Sequence, residues 1–294
     1  MSAEPTPEST SIVVLNWNSS DDTVALVDSL PAPWRDRVLV VDNGSSDVEA
    51  LSERLARHAA VSVVRRPTNG GYAAGMNTGM RTAAARGDRW ALLLNADCRP
   101  SASSLAAMVR AAGHRFDIVG IAQTKGLATN HAGNRYPTAA VGRGLTPKPW
   151  NCPGCPAGHH EVNVVTGAAL LVSLSLAERL GGFDEGFFHF KEEFDLSHRA
   201  RLLGARIGWV CEAEVPHAVG GSLPRDTDEA AYYTVRNELL FFRKHLGARA
   251  VVSGRLAGVG LALLVQAWRA GTVFGALDGL RDGVRGRTGP RVRA

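Results

Sequence analysis

The chain has 294 residues, 45% of them hydrophobic and 21% charged, enough for one large α/β domain and ordinary for a globular enzyme. Its net charge of +5 is segregated: from Arg243 to the end ten basic residues face two acids, whereas the 242 residues before them carry 23 bases and 26 acids. That distribution excludes a nucleic-acid groove across the body, and suits a membrane surface or other polyanion met by the C-terminus.

Residues 1–10 hold acids and prolines but no basic segment followed by an apolar run. They are expected to be a disordered leader, not a signal peptide. Four cysteines, Cys98, Cys152, Cys155 and Cys211, are too few for a disulfide scaffold and point to a reducing, cytoplasmic compartment. SIVVLNW (11–17) is β-branched and apolar throughout, as a strand buried on both faces would be. N-cap residues from Asn18 open a helix that Pro31 and Pro33 end. RVLVVDNGSSD (37–47) predicts a second strand running into a polar turn, with a helix to about His58. VSVVRR (61–66) is a third strand, NGGYAAGMNTGM opens a helix to about Arg86, and RWALLLNADCRP (89–100) is a fourth strand. A helix over 103–112 and a strand over 117–121 follow. This alternation predicts an α/β fold with a mostly parallel, Rossmann-like sheet and helices on both faces. Ligands of such sheets bind beyond the carboxyl ends of the strands, where Asn16–Asn18, Asp42–Asp47 and Asn95–Asp97 fall.

The stretch 123–160 lacks periodicity and is expected to be a long functional loop. A strand over 163–173, a helix over 175–181, a strand over 205–210, a turn over 214–222 and a helix over 228–245 complete the pattern. The tail, 248–294, reads as basic and amphipathic. Its longest apolar run, 256–265, is too short to cross a bilayer. It suits lying on a membrane and packing on the domain about equally.

No G-x-G-x-x-G follows the first strand and no G-x-x-x-x-G-K-[ST] occurs, which argues against a dehydrogenase and a P-loop NTPase. Asp42 with Asn43 and Gly44 can take hydrogen bonds from a base or ribose, or merely cap a turn. Asp97 is either a helix cap or one carboxylate ligand of a divalent cation, with His217 as a second ligand. GGFDEGFFHFKEEFDLSHR (181–199) sets Asp184, Glu192, Glu193 and Asp195 among four phenylalanines, where desolvation raises a carboxylate towards proton-transfer range; its plain reading is an aromatic core beside an acidic helix start. Cys152, Cys155, His159 and His160 have zinc-ligand spacing, though the prolines around them also suit a constrained loop.

Seven segments (IVVLNWN, VVDNGSSD, NGGYAAGMN, LLNAD, VTGAALLVS, 181–199 and VPHAVGGS) stand in the order and spacing of family 2 glycosyltransferases. Over about 11–245 the chain resembles their bacterial rhamnosyltransferase-like branch. The resemblance implies a GT-A fold spanning 11–247, with a nucleotide-binding part to about 122 and an acceptor and catalytic part from 123. It implies inverting, Mg²⁺- or Mn²⁺-dependent transfer from a dTDP- or UDP-sugar, dTDP-rhamnose leading, to a hydroxyl of a glycan, lipid-linked glycan or small metabolite. Asp42 then resembles the base-contacting aspartate, with Asn16, Asn18 and Asn43 beside it. Asn69, Gly71 and Asn77 match the loop over nucleotide and sugar. Asn95 and Asp97 match the ends of a D-x-D-type metal element, and His217 the histidine that completes it. Glu193 stands where the family's base is an aspartate, between Glu192 and Asp195. Because Glu193 and Asn95 depart from that pattern, the rival reading is a nucleotide-sugar-binding or scaffolding protein that has lost transfer.

Overall fold

The computed structural model describes residues 5–112, 116–125, 128–130, 155, 157–217, 227–247, 267–268 and 271–292. Nine strands make one sheet: β1 (Thr10–Asn16), β2 (Val38–Asp42), β3 (Ser62–Arg65), β4 (Trp90–Asn95), β5 (Ile118–Lys125), β6 (Ala128–Asn130), β7 (His159–Glu161), β8 (Ala169–Ser173) and β9 (Ile207–Pro216). Their order is β3-β2-β1-β4-β8-β5-β9-β7, with β6 paired to β5. Strands β3, β2, β1 and β4 are mutually parallel, β8 runs against β4 and β5, and β9 is parallel to β5. The carboxyl ends of β1, β2, β4 and β9 therefore lie at one end of the sheet. Strands from both sides of residue 122 share it.

Side-chain alternation divides the interior into two layers. Ile12, Val14, Val38, Val40, Leu92 and Leu94 face one layer with α1 (Ser20–Ser29), α3 (Val48–Leu55) and α5 (Ala102–Ala111). Val13, Leu39, Val41, Ala91 and Leu93 face the other with α4 (Gly71–Ala85), α6 (Leu174–Leu180) and α7 (Glu192–Leu202). A short α2 (Ala32–Arg35) joins α1 to β2. Burial on both faces is why these strands read as unbroken apolar runs.

Three expectations are corrected. Part of the leader is ordered: Pro7–Ser9 form a 3-10 turn and Thr10 begins β1, fully buried. The supposed turn at 214–216 belongs to β9, which continues past a register break opposite Ile121 and Ala122. β5 likewise runs on to Lys125, into the supposed loop, most of which (131–154) lies outside the described residues.

The described part of the tail packs on the domain. Helix α9 (Val273–Arg285) lies along α8 (Asp228–Leu246). Gly275, Gly279 and Gly283 recur every fourth residue, so they share one face. A Cβ at Gly275 would meet the Asp228 carbonyl at 1.9 Å, one at Gly279 the Tyr232 carbonyl at 2.4 Å, and one at Gly283 Leu239 Cβ at 2.8 Å. The contacts advance in the same direction along both helices, so they pack parallel. Gly279→Ala gains about 1 kcal/mol of helix propensity, yet its methyl strikes backbone, and overpacking costs about 1–3 kcal/mol. The net expectation is a lower melting temperature; an unchanged or higher one in a thermal melt would show that the helices can separate freely.

Candidate active site

Asn16, Asp42 and Asn95 are the last residues of β1, β2 and β4, and β9 delivers His217 to the same end. The expected residues thus converge, but they divide into three groups that do different things.

The first group ties the β1 and β2 loops together. Asn16 Nδ2 donates to Asp42 Oδ1 at 2.8 Å and Ser45 Oγ at 3.1 Å, and Thr23 Oγ1 donates to Asn16 Oδ1 at 2.7 Å. Asp42 Oδ2 accepts from the Gly44 and Ser45 amides at 3.2 and 3.0 Å. Both Asn16 and Asp42 are 0% exposed. The expected contact of Asp42 with a nucleobase is therefore not offered; the side chain builds the turn. What this end does present is Trp17 and Asn18, both exposed, with Asn18 at φ +49 and its amide on Ser45 Oγ at 3.0 Å.

The second group seats the glycine-rich loop. Asn43 Nδ2 donates to Asn69 Oδ1 at 2.9 Å and the Gly71 carbonyl at 3.0 Å, while Arg66 Nε donates to Asn43 Oδ1 at 3.0 Å. Gly71, at φ +84, is required: a Cβ there would meet the Phe188 carbonyl at 2.2 Å. Asn77 is turned away from the loop it was expected to share. Its amide binds the Phe183 carbonyl and Glu185 Oε1, each at 2.9 Å, and its oxygen takes the Phe183 amide at 2.8 Å. It moors residues 183–185 to α4.

The third group is chemical. Asp97 Oδ1 lies 3.1 Å from His217 Nε2, and Asn95 Nδ2 lies 3.4 Å from the same nitrogen. Cys98 joins them within 4.8 Å, but burial pushes its thiol far up and keeps it protonated. His217 Nδ1 is buried without a hydrogen-bond partner among the described residues.

Glu192 and Glu193 open α7. Glu192 is buried, and its Oε2 has no hydrogen-bond partner among the described residues. Burial first, and then the charge of Glu193, push its carboxyl well up. Asp195 belongs elsewhere. Its carboxylate, 0% exposed, meets Arg199 at 2.6 Å, Lys244 at 2.7 Å and His245 at 2.8 Å. Burial alone would raise it, but the His245 and Lys244 bonds and the Arg199 charge win and hold it at about 2. That makes it a structural anchor, with no lone carboxylate to offer a substrate.

Sequence reasoning missed Tyr72 and the clamp on α8. Tyr72 donates its hydroxyl to the Gly167 carbonyl at 2.6 Å. Burial raises this phenol, and the acidic pair beside it raises it further. Before Glu192 the backbone is strained. Phe188, Phe190 and Lys191 have φ of +64, +67 and +74, and the His189 amide reaches the Phe187 carbonyl at 2.7 Å, closing a γ-turn on Phe188. Such geometry persists only where its surroundings over-determine it. Here Asn237 Nδ2 donates to the carbonyls of Phe187, His189 and Phe190 at 2.9, 2.6 and 2.8 Å. Arg236 Nη2 donates to Phe187 at 2.6 Å, the Tyr72 amide to Phe188 at 2.7 Å, and Lys191 pairs with Glu238 at 2.6 Å. The signal was available in Arg236-Asn237-Glu238, three polar residues running through a helix that is otherwise apolar there.

Solved structures give the class. Over 94% of this chain the fold superposes on the crystal structure of GalNAc-T7 with UDP, GalNAc and Mn2+, with a TM-score of 0.58 and 16% identity; the chain spans 56% of that protein's length. The fold is GT-A. Residues 11–154 match the model of glycosyl transferase family 2. The Low-salt glycan biosynthesis hexosyltransferase Agl10 of Haloferax volcanii is 24% identical over 96% of this chain and 93% of its own. The N-acetylglucosaminyl-diphospho-decaprenol L-rhamnosyltransferase of Mycobacterium tuberculosis is 28% identical over 64% of this chain and 68% of its own. Just under half of the chain thus matches the family 2 model, and the chain is a glycosyltransferase.

Two outcomes test this geometry. Asn237→Ala strips a donor from three carbonyls and should cost about 1–3 kcal/mol in denaturant unfolding, with sugar transfer falling more than nucleotide affinity; equal loss of both would detach the clamp from the acidic pair. Asp195 is held below its unfolded value near 3.8, so its contribution, about 2 kcal/mol, is present above pH 4 and drains away towards pH 2. Wild-type stability should fall through that window, and Asp195→Asn, weaker at neutral pH, should give a flatter profile.

Proposed function

We propose that this enzyme moves a sugar from a nucleotide-diphosphate donor to an acceptor hydroxyl with inversion, using Asp97 and His217 at one end of the sheet and the Glu192–Glu193 pair beside Tyr72. The observation that carries the reading is the 3.1 Å separation of Asp97 Oδ1 and His217 Nε2. Ligand atoms about 2.1 Å from one octahedral ion stand about 3 Å apart at adjacent positions, so this pair fits Mg²⁺ or Mn²⁺, and Asn95 can hold a bound water or a diphosphate oxygen. A cation there would neutralise charge on the departing diphosphate.

The chain's own residues supply the rest. Trp17 offers a face for the nucleobase and Asn18 a polar edge. Asn16 and Asp42 act as positioning residues that fix this loop, and Asn43, Asn69 and Gly71 fix the one above the donor. The acceptor oxygen forms its bond to the anomeric carbon as the bond to the diphosphate oxygen breaks, and that electron pair leaves with the nucleotide. Glu193 takes the hydroxyl proton. Glu192 is buried with its carboxyl pushed well up, whereas Glu193 is only half-buried, which favours Glu193 of the two as base. Burial of Glu192 beside Tyr72 keeps water from that side of the transfer.

The named activities of the relatives, a hexosyl and an L-rhamnosyl transfer, support a glycan or lipid-linked glycan acceptor, and the sequence resemblance makes a dTDP- or UDP-sugar the donor to try, dTDP-rhamnose first. No helix of the described residues is long and apolar enough to cross a membrane. Exposed Trp268, Phe274 and Leu277 can rest on its surface near a lipid-linked acceptor. Residues 123–247 would then carry the acceptor-binding part.

Thermal shift against UDP, dTDP and their sugars, with and without Mn²⁺, identifies the donor; turnover is read as nucleoside diphosphate release. Glu193→Gln should lose about 10²–10⁴-fold in kcat with nucleotide binding kept, whereas Glu192→Gln should stay within several-fold. The reverse pattern would move the base to Glu192, and binding without turnover in wild type would return the scaffolding reading. Asp97→Ala and His217→Ala should each raise the metal concentration needed for half-maximal rate.

A further inference from the structure

The second thiol-bearing cluster of the molecule is separate from that chemistry. We propose that Cys155, His160 and Cys211 hold a zinc ion on the β7 edge of the sheet. Their ligand atoms all lie within 4.8 Å of one another, and Cys211 Sγ is 2.9 Å from His160 Nδ1. The register explains the meeting. His160 stands opposite Trp209 in the antiparallel β7–β9 pair, so Cys211, two residues on, shares its face. Gly158, at φ +70, turns the chain just ahead of β7 and accepts the Cys211 and Glu212 amides at 2.8 and 3.1 Å. Cys155 folds back so that its thiol donates to the His159 carbonyl at 2.9 Å. His159, which the sequence spacing offered as a ligand, points to the other face and meets the Phe116 ring edge-on at 5.7 Å. Cys211, fifty-six residues after Cys155 in sequence, takes its place.

The donor set selects the metal. Two thiolates and an imidazole suit zinc, whereas the carboxylate, amide and imidazole at Asp97 suit a harder cation. Zinc bonds of about 2.3 Å to sulfur and 2.0 Å to nitrogen place tetrahedral ligands about 3.5–3.8 Å apart, so the Cys211–His160 pair, now at 2.9 Å, opens by about half an ångström around the ion while Cys155 stays within reach. Binding releases the two thiol protons. Cys152, the other half of the C-x-x-C spacing, lies outside the described residues. The ion would cross-link the start of β7 to β9, whose far end carries His217, so its role is to hold that strand in place.

The test needs no transfer activity. Untagged protein purified under reducing conditions should contain one zinc per chain by plasma mass spectrometry. Cys211→Ser and His160→Ala should each retain less than about a tenth of it, and Asp97→Ala should retain it all. Chelation should lower the wild-type melting temperature and zinc restore it. Titrating chelated wild type with Co²⁺ should give a sulfur-to-cobalt charge-transfer band, which also covers variants that do not fold. The proposal is overturned if wild type neither contains zinc nor gives that band, if both variants keep their zinc, or if reducing conditions leave a Cys155–Cys211 disulfide.

Discussion

The clamp that α8 places on residues 186–191 is the constraint on which the site depends. A γ-turn followed by two further non-glycine residues at positive φ is costly, of order 1–3 kcal/mol for each strained residue. It is retained because a single amide, Asn237 Nδ2, and the Arg236 guanidinium, both fully buried, collect the carbonyls that the turn exposes. The consequence is directional. With the chain bent there, α7 starts on an acidic pair whose helix dipole and burial act on it together. The buried Glu192 carboxyl is pushed well up there, and the half-buried Glu193 stands beside it.

The opposite wall is fixed from α4. Gly71 allows the Phe188 carbonyl to approach, the Tyr72 amide caps that carbonyl, and Asn77 holds the Phe183 backbone through both its amide groups. Two helices distant in sequence thus grip the same turn from two sides. Tyr72 reaches from this grip to the Gly167 carbonyl, next to the Ala168 carbonyl that takes the Asn95 amide. Moving the turn would shift the acidic pair relative to the metal-ligand candidates, so the cost of strain and the geometry of transfer are linked.

This explains what the sequence made legible. Strand positions could be read because β1, β2 and β4 are buried on both faces and so are continuously apolar. Asn16, Asp42 and Asn95 could be placed at their ends because a parallel sheet aligns those ends. Orientation could not be read. Asp42 and Asn16 were expected to face a nucleotide, but a carboxylate followed by Gly44 and Ser45 finds its donors in its own turn, and local satisfaction wins over exposure. Asp195 was drawn off by Lys244 and His245, some fifty residues away, which no spacing rule connects to it. Cys211 joined the thiol cluster through strand register, while alternation removed the adjacent His159.

The tail, which suited lying on a membrane and packing on the domain equally, supports the same turn in its described part. Gly275, Gly279 and Gly283 let α9 press its backbone onto α8, the helix that bears Arg236 and Asn237. Beyond α9, the Gly289 amide donates to the Gly186 carbonyl at 2.9 Å, and the Gly289 carbonyl accepts from Arg236 Nη1. Arg291 completes the contact through the Tyr233 hydroxyl at 2.8 Å and Asp278 at 2.6 Å. Part of the tail's basic charge is thereby spent inside the fold, on groups that immobilise α8. What remains outward on α9 is Phe274, Leu277 and Val284 together with Arg281 and Arg285. A surface contact made through α9 would therefore bear, by way of α8, on the turn that sets Glu192 and Glu193 in place.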